Sequence, residues 1–186
     1  MNEHLSDVKT LRAKARAHIE RGPITDAYGA DRERVISILN EALATELVCV
    51  LRYKRHFFMA EGLNAAPVAA EFAQHALEEQ GHADQIAARI VQLQGEPDFD
   101  PDTLVHRSHA EYVPGGDLVD MITEDLVAER IAIASYGEII RWLGDADVTT
   151  RRLMESILAV EEEHADDLLT FLKQMGVLEK PEQKAK

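Results

Sequence analysis

The sequence predicts an all-α fold, a four-helix antiparallel ferritin-like bundle with one long crossover between its second and third helices. Four long stretches repeat apolar side chains every three or four residues, as amphipathic helices do. Glycine or proline ends each stretch. Short turns join the stretches in pairs, whereas residues 95–116 form a connection long enough to run the length of a bundle.

Each predicted helix has its own start or stop signal. The first runs from about residue 31 to 61 and ends at Gly62, and Asn64 is the expected N-cap of the second, which ends before Gly95. Gly144 ends the third helix and Gly176 ends the fourth. We therefore predict three segments: an N-terminal extension with a short helix (1–30), the bundle (31–176) and a polar tail (177–186).

Composition narrows the class of protein. The formal net charge of −14 disfavours nucleic acid as the main partner and favours attraction of cations. Cys49 is the only cysteine, so no disulfide can form within the chain, and the polar first residues lack a secretory signal. No apolar run approaches a membrane span. We expect a cytoplasmic protein that does not enter membranes.

The most informative motif is a glutamate followed three residues later by a histidine, which occurs twice. This spacing places both side chains on one face of a helix. Each copy lies near the middle of a predicted helix, and each remaining helix has one glutamate at its middle. The pattern predicts a two-metal site inside the bundle, with these candidate ligands: Glu46, Glu79, His82, Glu129, Glu161 and His164.

Electrostatics explains why these carboxylates need cations. A buried unpaired carboxylate is costly, and four at one level repel one another. We expect no Arg or Lys at the core positions to compensate them, whereas two divalent ions balance four carboxylates. Carboxylate oxygens with one imidazole for each metal favour iron or manganese over zinc, although Mn or Zn can substitute for Fe.

Four neighbouring residues have other expected roles. Tyr53 lies on the same helix face as Glu46, either as a core tyrosine or close enough to donate an electron to the metals. His75 is either an accessory ligand or a hydrogen-bonded core histidine. We expect Glu78 to be solvated beside the site and Cys49 to be a packed thiol without a catalytic role.

Three segments resemble bacterioferritin-type ferritins: ATELVCVLRYKRHFF, EEQGHADQI and VEEEHADDL, within a similarity that spans about residues 31–176. The resemblance implies a dinuclear iron ferroxidase centre. Glu46 and His82 would bind one iron, Glu129 and His164 the other, and both Glu79 and Glu161 would bridge them. Tyr53 matches a tyrosine that the family places beside its centre.

The sequence departs from that family in three places. Gln80 replaces the methionine that binds haem, so haem is not expected. Pro181 interrupts the tail where larger ferritins have a fifth helix. The long N-terminal extension resembles that of the Dps-like mini-ferritins, which form 12-subunit cages. These departures favour a Dps-like protein with a bacterioferritin-type site, and 12 subunits over 24.

The expected function is intracellular iron storage and detoxification, with Fe(II) oxidised by O2 or H2O2 and ferric mineral kept inside the cage. A rubrerythrin-like di-iron peroxidase is an alternative, but a single cysteine cannot supply the Cys-x-x-Cys electron-transfer module of that family. Dps-like DNA protection is another alternative, and it depends only on the basic residues within positions 1–22. A metal-free helical scaffold leaves the core carboxylates unexplained.

Overall fold

The computed structural model describes residues 5–63 and 65–177, and within these ranges every regular element is helical. The all-α prediction is therefore confirmed. The predicted cap Asn64 and residues 178–186 of the predicted tail lie outside the described residues. A 3₁₀ turn at Ile19–Arg21 follows the first of six α-helices, which are α1 (Val8–Lys14), α2 (Arg32–Met59), α3 (Ala65–Gln92), α4 (Leu104–Arg107), α5 (Leu118–Leu143) and α6 (Val148–Gln174).

Aspartates start three of the four long helices. The side chains of Asp31, Asp117 and Asp147 each accept a hydrogen bond from a backbone N–H in the first turn of α2, α5 and α6. Asp147 also binds the hydroxyl of Tyr28 and the guanidinium of Arg89. This contact ties the N-terminal extension and α3 to the start of α6.

The four long helices form the predicted bundle of two hairpins. Helix α2 packs chiefly against α3, α5 packs against α6, and contacts of α2 with α5 and of α3 with α6 close the bundle. Two large apolar clusters fill the inside of the bundle, and a small third one lies where α4 meets α2. One large cluster includes Leu39, Ile86 and Ile157, and the other includes Phe72, Ile122 and Leu168. The predicted metal ligands lie between these two large clusters along every helix, so they form a polar layer at mid-bundle.

A buried polar network, which the helical periodicity does not reveal, joins α2 to α5. Arg52 Nε donates to Asp125 Oδ1 at 2.8 Å, and His56 Nδ1 lies 2.7 Å from Asp125 Oδ2. The expectation of no core arginine is therefore wrong, because pairing with Asp125 allows Arg52 to be buried. The charge of Arg52 is thus paired with Asp125 and not with the central carboxylates. His56 is buried in place of Phe57, which is 38% exposed.

The long crossover contains one short helix, α4, that lies against α2. Asn40 holds the start of the crossover, since its side chain donates to Glu96 O and accepts from the Asp98 N–H. Arg52 Nη1 donates to Glu111 O near the other end. Both contacts fasten the crossover to α2 beside the centre of the bundle.

Helix α1 has no buried residue, and its apolar side chains Val8 and Leu11 are exposed. It begins where the Asp7 side chain accepts from the Thr10 N–H. In the described part of the chain, all helices are too short or too polar to span a bilayer.

Candidate metal centre

The structure brings all six predicted ligands together in the polar layer at mid-bundle. Each comes from the middle of a long helix, where the neighbouring turns are apolar and fix its direction. None of the six is more than 5% exposed. Two overlapping groups of four have ligand atoms within 4.8 Å of one another.

The first group surrounds the imidazole of His82. Its Nδ1 lies 3.0 Å from Glu161 Oε1, 3.3 Å from Glu46 Oε2 and 3.9 Å from Glu79 Oε2. Three carboxylates from three helices therefore converge on one ring nitrogen. These four side chains form a group that could hold a metal ion.

The second group surrounds the imidazole of His164. Its Nδ1 lies 3.3 Å from Glu79 Oε1, 3.4 Å from Glu161 Oε2 and 3.9 Å from Glu129 Oε1. Glu79 and Glu161 occur in both groups, and each turns a different oxygen toward each histidine. This geometry is the one required of carboxylates that bridge two ions.

The donor atoms of this layer lack other partners. The buried carboxylate atoms Oε2 of Glu46, Oε1 of Glu79, Oε2 of Glu129 and both oxygens of Glu161 have no hydrogen-bond partner, and neither does Nδ1 of either histidine. Buried polar atoms without partners are rare in proteins. Four carboxylates and two imidazoles form a donor set that fits two divalent ions such as iron or manganese.

Two buried tyrosines form hydrogen bonds with the outer carboxylates, Glu46 and Glu129, each of which occurs in only one of the two ligand groups. The Tyr53 hydroxyl donates to Glu129 Oε1, and the Tyr136 hydroxyl donates to Glu46 Oε1. Burial, with the nearby carboxylates, raises the pKa of both phenols well above its ordinary value, so both remain donors. Tyr136 was not among the site residues predicted from the sequence. Its position seven residues after Glu129, as Tyr53 follows Glu46, was the available signal.

The pKa values show which groups of the cluster hold protons and which are ionised. Burial and the surrounding carboxylates raise the pKa of Glu79 and Glu129 well above the usual value. Burial opposes the imidazolium of His82, but Glu161 and Glu46 outweigh it and raise its pKa to about 10. Burial also opposes ionisation of Glu161, yet contacts with His164 and His82 lower its pKa to about 2. The cluster thus holds protons that divalent ions would replace.

Glu78 contacts the centre, contrary to the expectation of a merely solvated residue. Its Oε2 lies 2.9 Å from His164 Nε2, while Gln74 donates to Oε1 at 2.7 Å. A carboxylate on Nε2 keeps a proton there and leaves Nδ1 free to bind a metal. His75 is buried beside this pair, with its ring stacked on His164 at a centroid distance of 3.9 Å.

Known proteins place this chain in one family. Residues 36–176 match the ferritin-like domain family. A bacterioferritin of Rhodobacter capsulatus is 32% identical over 141 residues, which cover 74% of this chain and 81% of the relative. The chain therefore belongs to the ferritin-like family and groups with its bacterioferritins. The predicted resemblance is confirmed.

Solved structures extend this comparison. A dodecameric thioferritin of Bacteroides fragilis, described as bacterioferritin-related, is 35% identical with a TM-score of 0.77, covering 80% of this chain and 89% of that one. The Desulfovibrio desulfuricans bacterioferritin, which has a di-iron site, is 25% identical with a TM-score of 0.70, covering 79% and 82%. A Dps of Thermosynechococcus elongatus (21% identity, TM-score 0.73, 83% and 96% covered) shares the fold.

Proposed function

We propose that this protein is a ferroxidase that stores iron: it binds two Fe(II) ions in the bundle, oxidises them with O2 or H2O2, and keeps the ferric product in an oligomeric cage. The observation that carries the proposal is the pair of overlapping ligand groups that share Glu79 and Glu161. The di-iron site in the Desulfovibrio relative supports the identity of the metal.

The six ligand side chains would be shared between two ions. Glu46 and His82 would bind one ion, Glu129 and His164 would bind the other, and Glu79 and Glu161 would bridge them. Two bound iron(II) ions would supply two electrons, which with two protons reduce O2 to H2O2 or H2O2 to two water molecules. The oxygen-rich donor set favours the more highly charged ferric product.

Residues around the ligands position them and exclude water. Tyr53 and Tyr136 each orient one outer carboxylate through a hydrogen bond. Tyr53 is also the proposed donor of one electron and its hydroxyl proton when H2O2 meets a centre with only one iron(II), so that one iron, one tyrosine and one further proton reduce H2O2 to two water molecules. Glu78 fixes the tautomer of His164. The apolar clusters on both sides keep bulk water away from the reacting ions.

Kinetics of Fe(II) oxidation test the proposal, and adjacent glutamates provide the control. Wild-type protein should bind two Fe(II) per chain in the dinuclear centre without oxygen and oxidise them rapidly in stopped-flow absorbance. Glu79→Ala and Glu161→Gln should each abolish the fast phase, because each removes a bridge. Glu162→Gln changes an exposed neighbour on α6, and this variant should keep the fast phase. Unchanged kinetics in both bridge variants would refute the site.

Storage also requires a cavity that many subunits enclose. We propose 12 subunits, which the dodecameric Bacteroides relative supports. Light scattering should give twelve times the chain mass of 20.8 kDa, with far more than two ferric ions retained per chain after excess Fe(II). A mass twice as large would indicate a full ferritin cage. A stable monomer or dimer that turns over H2O2 and retains two irons would instead indicate a peroxidase.

A further inference from the structure

A second cluster of possible metal ligands lies beside the centre, between α3 and α6. It consists of Glu71 and His75 on α3 and Asp167 on α6, whose ligand atoms lie within 4.8 Å of one another. None of the three belongs to the two overlapping groups described above. The side chains of Glu71 and Asp167 are 32% and 54% exposed, so the cluster opens to solvent.

His75 is the reason to regard this cluster as a site. Its side chain is 1% exposed, and neither ring nitrogen has a hydrogen-bond partner. Nε2 lies 3.3 Å from Glu71 Oε1 and 3.9 Å from Asp167 Oδ2, and thus points into the cluster. A buried imidazole that satisfies neither nitrogen is costly unless something else binds it.

The two carboxylates also lack a balancing charge. Neither Glu71 nor Asp167 has an Arg or Lys nitrogen within 4.0 Å among residues 5–63 and 65–177. Asp167 adds to the effect of burial in raising the pKa of Glu71, as expected of carboxylates that repel each other. Two carboxylates and an imidazole form a mixed donor set suited to Fe(II), Mn(II) or Co(II).

We infer that Glu71, His75 and Asp167 form a third cation site, which binds Fe(II) from solvent and passes it to the dinuclear centre. The path is short. The His75 ring stacks on His164, and His75, Glu78 and His164 also bring ligand atoms within 4.8 Å of one another. An ion leaving Glu71 and Asp167 would reach Glu78 and then the group of ligands around His164. Cation binding at this site does not depend on the proposed function, whereas delivery of Fe(II) to the dinuclear centre rests on it.

Cobalt(II) tests the site without redox chemistry. Wild-type protein should bind three Co(II) per chain in equilibrium dialysis. Crystals soaked in Co(II) should give one anomalous peak among Glu71, His75 and Asp167 and two in the centre. The double variant Glu71→Gln/Asp167→Asn and the variant His75→Phe, which keeps the stacked ring, should each lose only the third peak. The control variant Asp166→Asn, at an exposed neighbouring position, should still bind three Co(II) per chain.

The outcomes separate this inference from the proposed function. A third peak with an empty centre would refute the dinuclear proposal and keep the cation site. Two central peaks without a third in wild type, or a third peak that persists in both variants, would overturn the inference. For the feeding role, the double variant should raise the Fe(II) concentration for half-maximal oxidation at least about three-fold relative to Asp166→Asn. An unchanged value would refute that role.

Discussion

The two helical hairpins contribute matching ligands but unequal surroundings to the centre. Glu79 and His82 of α3 recur 82 residues later as Glu161 and His164 of α6. Glu46 of α2 corresponds to Glu129 of α5, and a tyrosine follows each by seven residues. Each tyrosine hydroxyl reaches the glutamate of the other hairpin. The ligand layer is therefore nearly symmetric about the centre of the bundle.

The positions around that layer break the symmetry. Glu78 and His75 lie beside His164, whereas the corresponding positions of α6, shifted by 82 residues, are Val160 and Ile157. The His164 half is polar and leads toward solvent through half-exposed carboxylates. We therefore expect equal ligands to have unequal roles, with exchange of ions in the polar half and retention of ions in the apolar half.

The largest expected difference between the halves comes from Glu78. Glu78→Gln removes the charge that holds the proton on His164 Nε2, and such changes typically cost about 10–100-fold in metal affinity or activity. Val160→Ala, at the corresponding position of the other half, should change the rate of Fe(II) oxidation little. Stopped-flow rates and Fe(II) titrations measure both. Equal losses in the two variants would show that the asymmetry has no functional meaning.

The next prediction concerns the protons held by the ligand layer. The folded-state pKa values of Glu79, Glu129 and His82 are raised, so the chelator-treated protein loses stability as pH rises. The loss begins near pH 4.5 for the two glutamates and near pH 6.5 for His82, whose contribution is lost by about pH 10. Co(II) replaces these protons. The gain in Tm from Co(II) should therefore grow between pH 6 and pH 9.

The expected size of that gain is about 5–10 °C at pH 8, for free Co(II) at roughly 100 times its Kd. Differential scanning calorimetry across the pH range provides the measurement. The double variant Glu79→Gln/Glu129→Gln keeps the shape of the layer without its carboxylates and should show a smaller, flatter gain. A gain that falls as pH rises would contradict the assigned protonation.

The smallest predicted effect separates the two tyrosines. Tyr53→Phe and Tyr136→Phe each remove one hydrogen bond to an outer glutamate, worth about 1 kcal/mol, and should slow Fe(II) oxidation about five-fold. Only Tyr53 is proposed to donate an electron. Freeze-quench EPR should therefore detect a tyrosyl radical in Tyr136→Phe and none in Tyr53→Phe. The reverse pattern would assign the donor role to Tyr136.

The sequence predicted the bundle and its ligand faces because helical spacing determines which residues share a face. It predicted the two glutamate–histidine pairs and their central position for the same reason. Spacing does not reveal which residue of another helix a side chain meets. The pairing of Glu78 with His164, and of Arg52 with Asp125, depends on how the helices lie against one another.

Two other misses have local causes. Near the end of α2, the spacing of Val50, Tyr53 and Phe57 predicts that Phe57, and not His56, lies on the core face. The structure buries His56 because Asp125 and the Pro114 carbonyl satisfy both of its ring nitrogens. Helix α4 has only four residues and no periodic signal, and it packs against α2. Tyr136 could have been found, because its spacing from Glu129 repeats that of Tyr53 from Glu46.

Iron-edge X-ray absorption of the protein loaded with two Fe(II) per chain tests the central claim most directly. If Glu79 and Glu161 bridge the ions, the spectrum should contain an iron–iron vector of about 3.5–4 Å. The vector should disappear in Glu161→Gln and remain in the exposed-neighbour control Glu162→Gln. Two irons per chain without this vector, or a vector that Glu161→Gln leaves intact, would contradict a shared dinuclear centre.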